Sequence, residues 1–257
     1  MHRRLRLVVA AFAVVLGAAT LAAAVWLATP LGPDAQAVRS LESGDGITVA
    51  RTAWGWEFSP ASSTPATGVV IYPGGRVDPR SYAPLARGLA QSGYRAIIVR
   101  MPLGLAVLSP HRADRAVAAH PEIRRWAMAG HSLGGAMAAA HVAKRPGRYA
   151  ALVLLAAYPP DSVDLSQETT LSVTALAGSA DTVLDARAFA ASRLRLPGRS
   201  LVATVEGANH AQWGSYGIQR GDSEAAITPE AQIAIAVDAV RRALGDLPPL
   251  DDGGPSK

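Results

Sequence analysis

Residues 123–145 read IRRWAMAGHSLGGAMAAAHVAKR. The first eight form a short apolar run of the kind expected of a buried strand, and residues 134–145 form a small-residue helical stretch that stops at Pro146. Between them Ser132 sits in G-H-S-L-G. A strand that passes directly into a helix turns so sharply that side chains beside the turn collide, which accounts for glycine at 130 and 134. Such a turn holds its serine in a strained conformation with the hydroxyl outward, at a helix N-terminus that favours developing negative charge. The pattern therefore points to a reactive serine. The alternative is a glycine turn with an incidental serine, and the rest of the chain has to decide between them.

Working outward, strand-like runs fall at 47–58, 67–73, 94–100, 151–157, 171–178 and 200–207, and helical patterns at 82–93, 113–120, 185–196 and 229–244. Short apolar strands alternating with helices predict an α/β fold: a doubly wound, mostly parallel sheet covered on both faces. In such sheets the working residues lie on loops at the carboxyl ends of the strands.

A serine hydroxyl needs a base, and the base needs an orienting acid. With the serine on a strand-to-helix turn, the expected chain order is serine, acid, histidine, each after a strand. Asp181 follows the 171–178 run and His210 follows the 200–207 run. Of the six histidines, His2 precedes the long apolar run, His111 and His120 flank a helix, and His141 rides on the helix after Ser132. His131 adjoins the serine and is expected to point away from the pocket. Asp161, after the 151–157 run, is the rival acid; Asp185 reads as a helix cap. The oxyanion needs two N–H donors. These are expected from Leu133 and from the PGGR loop (73–76), with Gly75 first and Arg76 next; the competing reading of the Gly pair is a plain turn.

The first residues are basic (Arg3, Arg4, Arg6), and no further charge appears until Asp34. Residues 7–28 are long enough to cross a hydrocarbon core as a helix, with the basic end inside and the remainder exported. Residues 1–28 are thus expected to be a transmembrane anchor, with a cleaved signal segment as the alternative because DAQA (34–37) offers a small-x-small site. Residues 29–45 read as a linker, 46–244 as the catalytic domain and 245–257 as a disordered tail. Hydrophobic residues make up 49% and charged residues 18%, which suits a globular chain. With no cysteine, thiol nucleophiles and zinc-thiolate sites are excluded. Three of the five net positive charges sit at the N-terminus and no basic stripe follows, so nucleic acid is not an expected partner.

The stretches GHSLGG (130–135), GSADTV (178–183) and EGANHAQWGSYG (206–217) resemble the α/β-hydrolase superfamily over residues 46–244. YPGGRVDPRSYAPLARGLA (72–90) and MPLGLAVL (101–108) resemble its compact, lidless group, similar in outline to dienelactone-hydrolase-like proteins. That resemblance implies no cap domain, no metal and no cofactor; the cysteine nucleophile of dienelactone hydrolases proper is missing, so their substrate does not carry over. The expectation is a serine hydrolase acting on a small-molecule ester, with Ser132 as nucleophile, His210 as base and Asp181 as its orienting acid. A peptidase or amidase on the same three residues, and a non-catalytic membrane-tethered binding domain, are the alternatives. Met101, Tyr158, Trp213 and Tyr216 lie near strand ends and are candidates for an apolar acyl site, although packing explains each equally well.

Overall fold

The computed structural model describes residues 2–245, with the side chains of residues 2, 3, 6 and 23–28 outside the description. Eight strands form one sheet: β1 (Ile47–Arg51), β2 (Gly55–Pro60), β3 (Thr67–Tyr72), β4 (Arg95–Val99), β5 (Arg125–His131), β6 (Ala151–Leu155), β7 (Ser172–Gly178) and β8 (Leu201–Val205). Their spatial order is β1-β2-β4-β3-β5-β6-β7-β8. β2 runs antiparallel to both its neighbours, and the six strands from β4 to β8 are parallel. The single strand expected over 47–58 is a hairpin. The Thr52 N–H donates to Gly55 O at 2.9 Å and the Gly55 N–H to Thr52 Oγ1 at 3.2 Å, which closes a turn in the middle of the run.

The apolar strands are continuous because both faces are covered. Val69 and Ile71 of β3 join one core with α3 (Ala83–Gln91) and α7 (Pro229–Gly245). Val70 and Tyr72, pointing the other way, join a second core with α4 (Ala113–Ala118), α5 (Leu133–Ala143) and Phe189 of α6 (Ala186–Ala191). Residues 156–171, where a cap would be inserted, carry no helix or strand.

One expectation about the N-terminal region needs correction. Residues 29–45 are not a plain linker: they contain a short helix, α2 (Ala35–Arg39), whose Ala37 is fully buried. Leu31 also forms a parallel bridge with Val77. The local Pro and Gly signal hides this docking, because the hydrogen bonds that fix the segment come from residues far away in sequence. The transmembrane span is not shown. α1 (His2–Ala28) precedes the domain, and among the described residues no helix is long and apolar enough to cross a membrane. The expected span includes residues 23–28, whose side chains lie outside the description; the tail over 246–257 lies outside it altogether.

α5 sits very close to the sheet. A Cβ on Gly130 would stand 2.6 Å from the Gly135 Cα, and one on Gly134 would stand 2.2 Å from the Pro73 carbonyl oxygen. Gly130→Ala must therefore push α5 off β5. Overpacking of this kind costs about 1–3 kcal/mol, so the urea midpoint of this variant should fall clearly below that of the parent.

Candidate active site

Ser132 follows β5 directly and precedes α5 directly. Its backbone has φ 51° and ψ −125°, a region that non-glycine residues rarely occupy. Such strain costs on the order of 1–3 kcal/mol and persists only where the surroundings over-determine it. Here the Ser132 N–H donates to Leu155 O at 3.0 Å and Ser132 O accepts from the Ala136 N–H at 3.1 Å. The serine is thereby fixed on the N-terminal end of α5, where the first N–H groups have no acceptor within the helix.

His210 lies in the loop after β8. A Cβ on Gly178, at the end of β7, would be 2.1 Å from Ala208 O, so glycine there lets the His210 loop cross the strand end. The loop is held by a buried amide. Gln232 of α7 accepts from the Asn209 N–H at 3.1 Å and donates to Asn209 O at 2.8 Å. The Asn209 side chain donates to Ser223 O and accepts from the Gln212 N–H. The Ala211 N–H donates to Asp222 Oδ2 at 2.8 Å. None of Asn209, Asp222 and Gln232 was singled out from the sequence, because amides and carboxylates that support a loop carry no motif of their own.

His210 Nδ1 lies 2.9 Å from Asp181 Oδ2, and both side chains are almost fully buried. The other carboxylate oxygen accepts the N–H groups of Val183 at 2.9 Å and Leu184 at 2.8 Å. Burial pushes the Asp181 carboxyl up, but the hydrogen bond to His210, its charge and the two N–H donors outweigh burial and hold the group below the ordinary aspartate range. An ionised Asp181 only accepts, so Nδ1 carries the ring proton and Nε2 is the basic nitrogen of a neutral His210.

The loop after β3 is equally constrained. The Gly74 N–H donates to Tyr82 Oη at 2.8 Å and the Arg76 N–H to Gly104 O at 2.8 Å. Of these three consecutive donors, only the Gly75 N–H has no acceptor among the described residues. A Cβ on Gly75 would meet Leu133 Cδ2 at 3.2 Å, so the two expected oxyanion residues are neighbours.

His131 does not line the cavity, yet it is not remote. Its ring centroid lies 4.8 Å from that of His210. Tyr82 Oη, which accepts from Gly74, lies 2.7 Å from His131 Nδ1. Complete burial, with His210 beside it, pushes the His131 imidazole far below the usual histidine range, so it stays neutral.

Ser132, Leu133, Tyr158 and His210 line one cavity of about 390 Å³, with Ala136, Met137, Ala156, Ala157, Val183 and Leu184 giving it an apolar wall. A larger cavity of about 550 Å³ lies behind the His210 loop, between Asp34, Asn209 and Asp222, and does not include Ser132. Of the four acyl-site candidates only Tyr158 reaches the Ser132 cavity. Trp213, Tyr216 and Met101 are buried in the two cores, because the short loops carrying them turn their rings and thioether inward. The Asp161 side chain is 97% exposed and pairs with Arg195, far from the role of a buried orienting acid. Asp185 caps α6 through the N–H groups of Arg187 and Ala188.

Among the described residues one group could be considered for a metal: His111, Asp114 and His141 have donor atoms within 4.8 Å of one another. The Arg145 guanidinium already fills it, bound to both oxygens of Asp114 and 3.3 Å from His111 Nδ1. His141 lies on α5 nine residues past Ser132, about 13 Å along the axis.

A model of the alpha/beta hydrolase family matches residues 68–234. The fold is similar to three solved structures. A predicted CIB-like hydrolase from Thermoplasma acidophilum matches at 14% identity and a TM-score of 0.55, over 77% of this chain and 100% of that one. Carboxylesterase CesB (YbfK) from Bacillus subtilis matches at 13% and 0.53, over 80% and 94%. Est1E from Butyrivibrio proteoclasticus matches at 12% and 0.54, over 79% and 100%. At these identities the structures share the fold. No curated protein matches the chain in sequence.

The lowered Asp181 pKa sets an acid limit. Its contribution to stability is complete above the unfolded value of about 3.9 and is lost as pH falls through the lower, folded value. Urea midpoints measured from pH 6 down to pH 2 should drop more steeply in the parent than in Asp181→Asn, which has no charge to lose.

Proposed function

We propose, from the premise that this chain belongs to the alpha/beta hydrolase family, that it is a serine hydrolase cleaving esters of small or medium acyl groups through an acyl-enzyme. The observation that carries the reading is that His210, held at Nδ1 by Asp181 at 2.9 Å, shares an apolar cavity with the strained Ser132. In this reading Ser132 Oγ attacks the ester carbonyl and His210 Nε2 takes its proton. The tetrahedral oxyanion receives the N–H groups of Leu133 and Gly75. Collapse breaks the bond to the alkoxy group, which leaves as the alcohol with the proton from His210. Water then attacks the acyl-enzyme, giving its proton to His210, and the acid departs as Ser132 recovers its hydrogen. Asp181 keeps the imidazole in the required tautomer and stabilises the imidazolium.

The cavity supports the substrate class. Its wall is alanine, leucine, valine and methionine, with Tyr158 at one side, and it offers no charged group to a peptide backbone beyond Asp185. Its size suits a short to medium acyl chain.

A fluorophosphonate probe should label the parent and not Ser132→Ala. Asp181→Asn should keep the fold and lose on the order of 10⁴ in turnover, measured on p-nitrophenyl esters of increasing chain length, whereas Asp161→Asn should change little. Labelling of Ser132→Ala, or equal losses at Asp161 and Asp181, would overturn the assignment. A matching anilide series separates ester from amide cleavage.

The sequence of residues 1–28 supports a second proposal, that the domain is exported, with the segment acting as anchor or signal. The three arginines precede an uncharged apolar run, the arrangement that keeps the N-terminus inside. A reporter fused after Leu244 should be active only outside the cytoplasm.

A further inference from the structure

Residues 29–34 pass directly over the loop that carries Gly75. The Leu31 N–H donates to Arg76 O at 2.8 Å, and the Asp78 N–H donates to Leu31 O at 2.8 Å. The Arg76 guanidinium donates to Thr29 O at 2.8 Å. Three residues after Leu31, the Asp34 N–H donates to Ser215 O at 2.9 Å, and the Asp34 carboxylate caps α2 through the Ala37 N–H. The segment is therefore tied at both ends and in the middle.

What it ties is strained. Arg76 has φ 57°, a left-handed conformation that a side chain adopts only under constraint. Its N–H is fixed by Gly104 O, and its C=O is fixed by Leu31. On the other side Gly74 is fixed by the Tyr82 hydroxyl. Gly75 is a single residue between two anchored ones, so the direction of its N–H follows the anchors. Release of the Leu31 bonds frees one of them.

We infer that residues 29–34 are a positioning strap for the oxyanion loop: by holding Arg76 in its left-handed conformation they aim the Gly75 N–H at the point where the oxyanion forms. The inference rests on the serine-hydrolase reading above. A chain shortened past Asp34 would lose the strap and is expected to be the slower enzyme.

An interaction made only in the transition state lowers kcat and leaves KM nearly unchanged. Removal of a whole oxyanion donor costs roughly 10²–10³ in kcat, so its misdirection should cost about 10–100-fold. The test uses the full chain in detergent. Leu31→Pro deletes the N–H that holds Arg76 O. Asp78→Pro deletes the other bond, the N–H that holds Leu31 O, at a residue whose φ of −60° already fits proline. Arg39→Ala, exposed on α2 and outside the strap, is the control. The readouts are kcat and KM on a p-nitrophenyl ester, the fraction labelled by fluorophosphonate, and the urea midpoint. The strap predicts that Leu31→Pro labels fully and keeps its midpoint, with kcat down about 10–100-fold and KM within about twofold. A kcat equal to the parent's in a folded Leu31→Pro overturns it, as does a rise in KM with kcat preserved. If Leu31→Pro unfolds, Asp78→Pro decides: a fall of about threefold or more in kcat at constant KM supports the strap, and no change in a folded Asp78→Pro overturns it. A parent that neither labels nor turns over fails the serine reading itself, and the strap falls with it.

Discussion

α5 and β5 approach each other so closely at Gly130 and Gly135 that the chain has one residue in which to reverse direction. Ser132 is that residue, and its backbone strain is the result. The same approach presses Gly134 against the end of β3, close to Pro73 O. This brings the first N–H of α5 beside the loop after β3 and makes Leu133 and Gly75 neighbours. Close packing at a few glycines thus sets both the angle of the hydroxyl and the place where an anion would be received. A larger side chain at any of them separates the helix from the sheet, and the two features are lost together.

The histidine side of the site is built differently, from buried polar groups that satisfy one another. Gln232 pairs with both backbone groups of Asn209, and Asp181 shares its oxygens between His210 and two N–H donors. Buried polar groups are costly when unpaired, so each bond also fixes the loop in one conformation. His131 belongs to the same logic. Burial keeps it neutral beside His210, and a neutral neighbour does not repel the imidazolium that the proposed proton transfer creates. Tyr82 links the two sides, because its hydroxyl accepts from Gly74 and meets His131.

Much of this was legible in the sequence because it depends on local signals repeated in a fixed order. The apolar runs ended where glycine or proline ended them, and the residues after three of those runs were Ser132, Asp181 and His210. The misreadings share a different cause. Thr52 and Gly55 close a turn inside a run whose composition is strand-like throughout. Met101, Trp213 and Tyr216 were placed near the right strand ends, but side-chain direction in short irregular turns has no period to read. Residues 29–34 look like loop because their order comes from Arg76, Asp78 and Ser215, which lie far along the chain. Gln232 acts from the last helix on a loop formed well before it, and its pattern there is simply that of a helix.

The strap also has an order in time. Thr29 to Asp34 are synthesised well before one of their hydrogen-bond partners, Ser215. Contacts so distant in sequence form late, since closing the intervening chain must be offset by structure already present. The sheet can assemble around β3 and β5 while the N-terminal end is still undocked. Leu31 needs only Arg76 and Asp78 to be seated, whereas Asp34 must wait for the loop after β8, so the strap closes last at its Asp34 end.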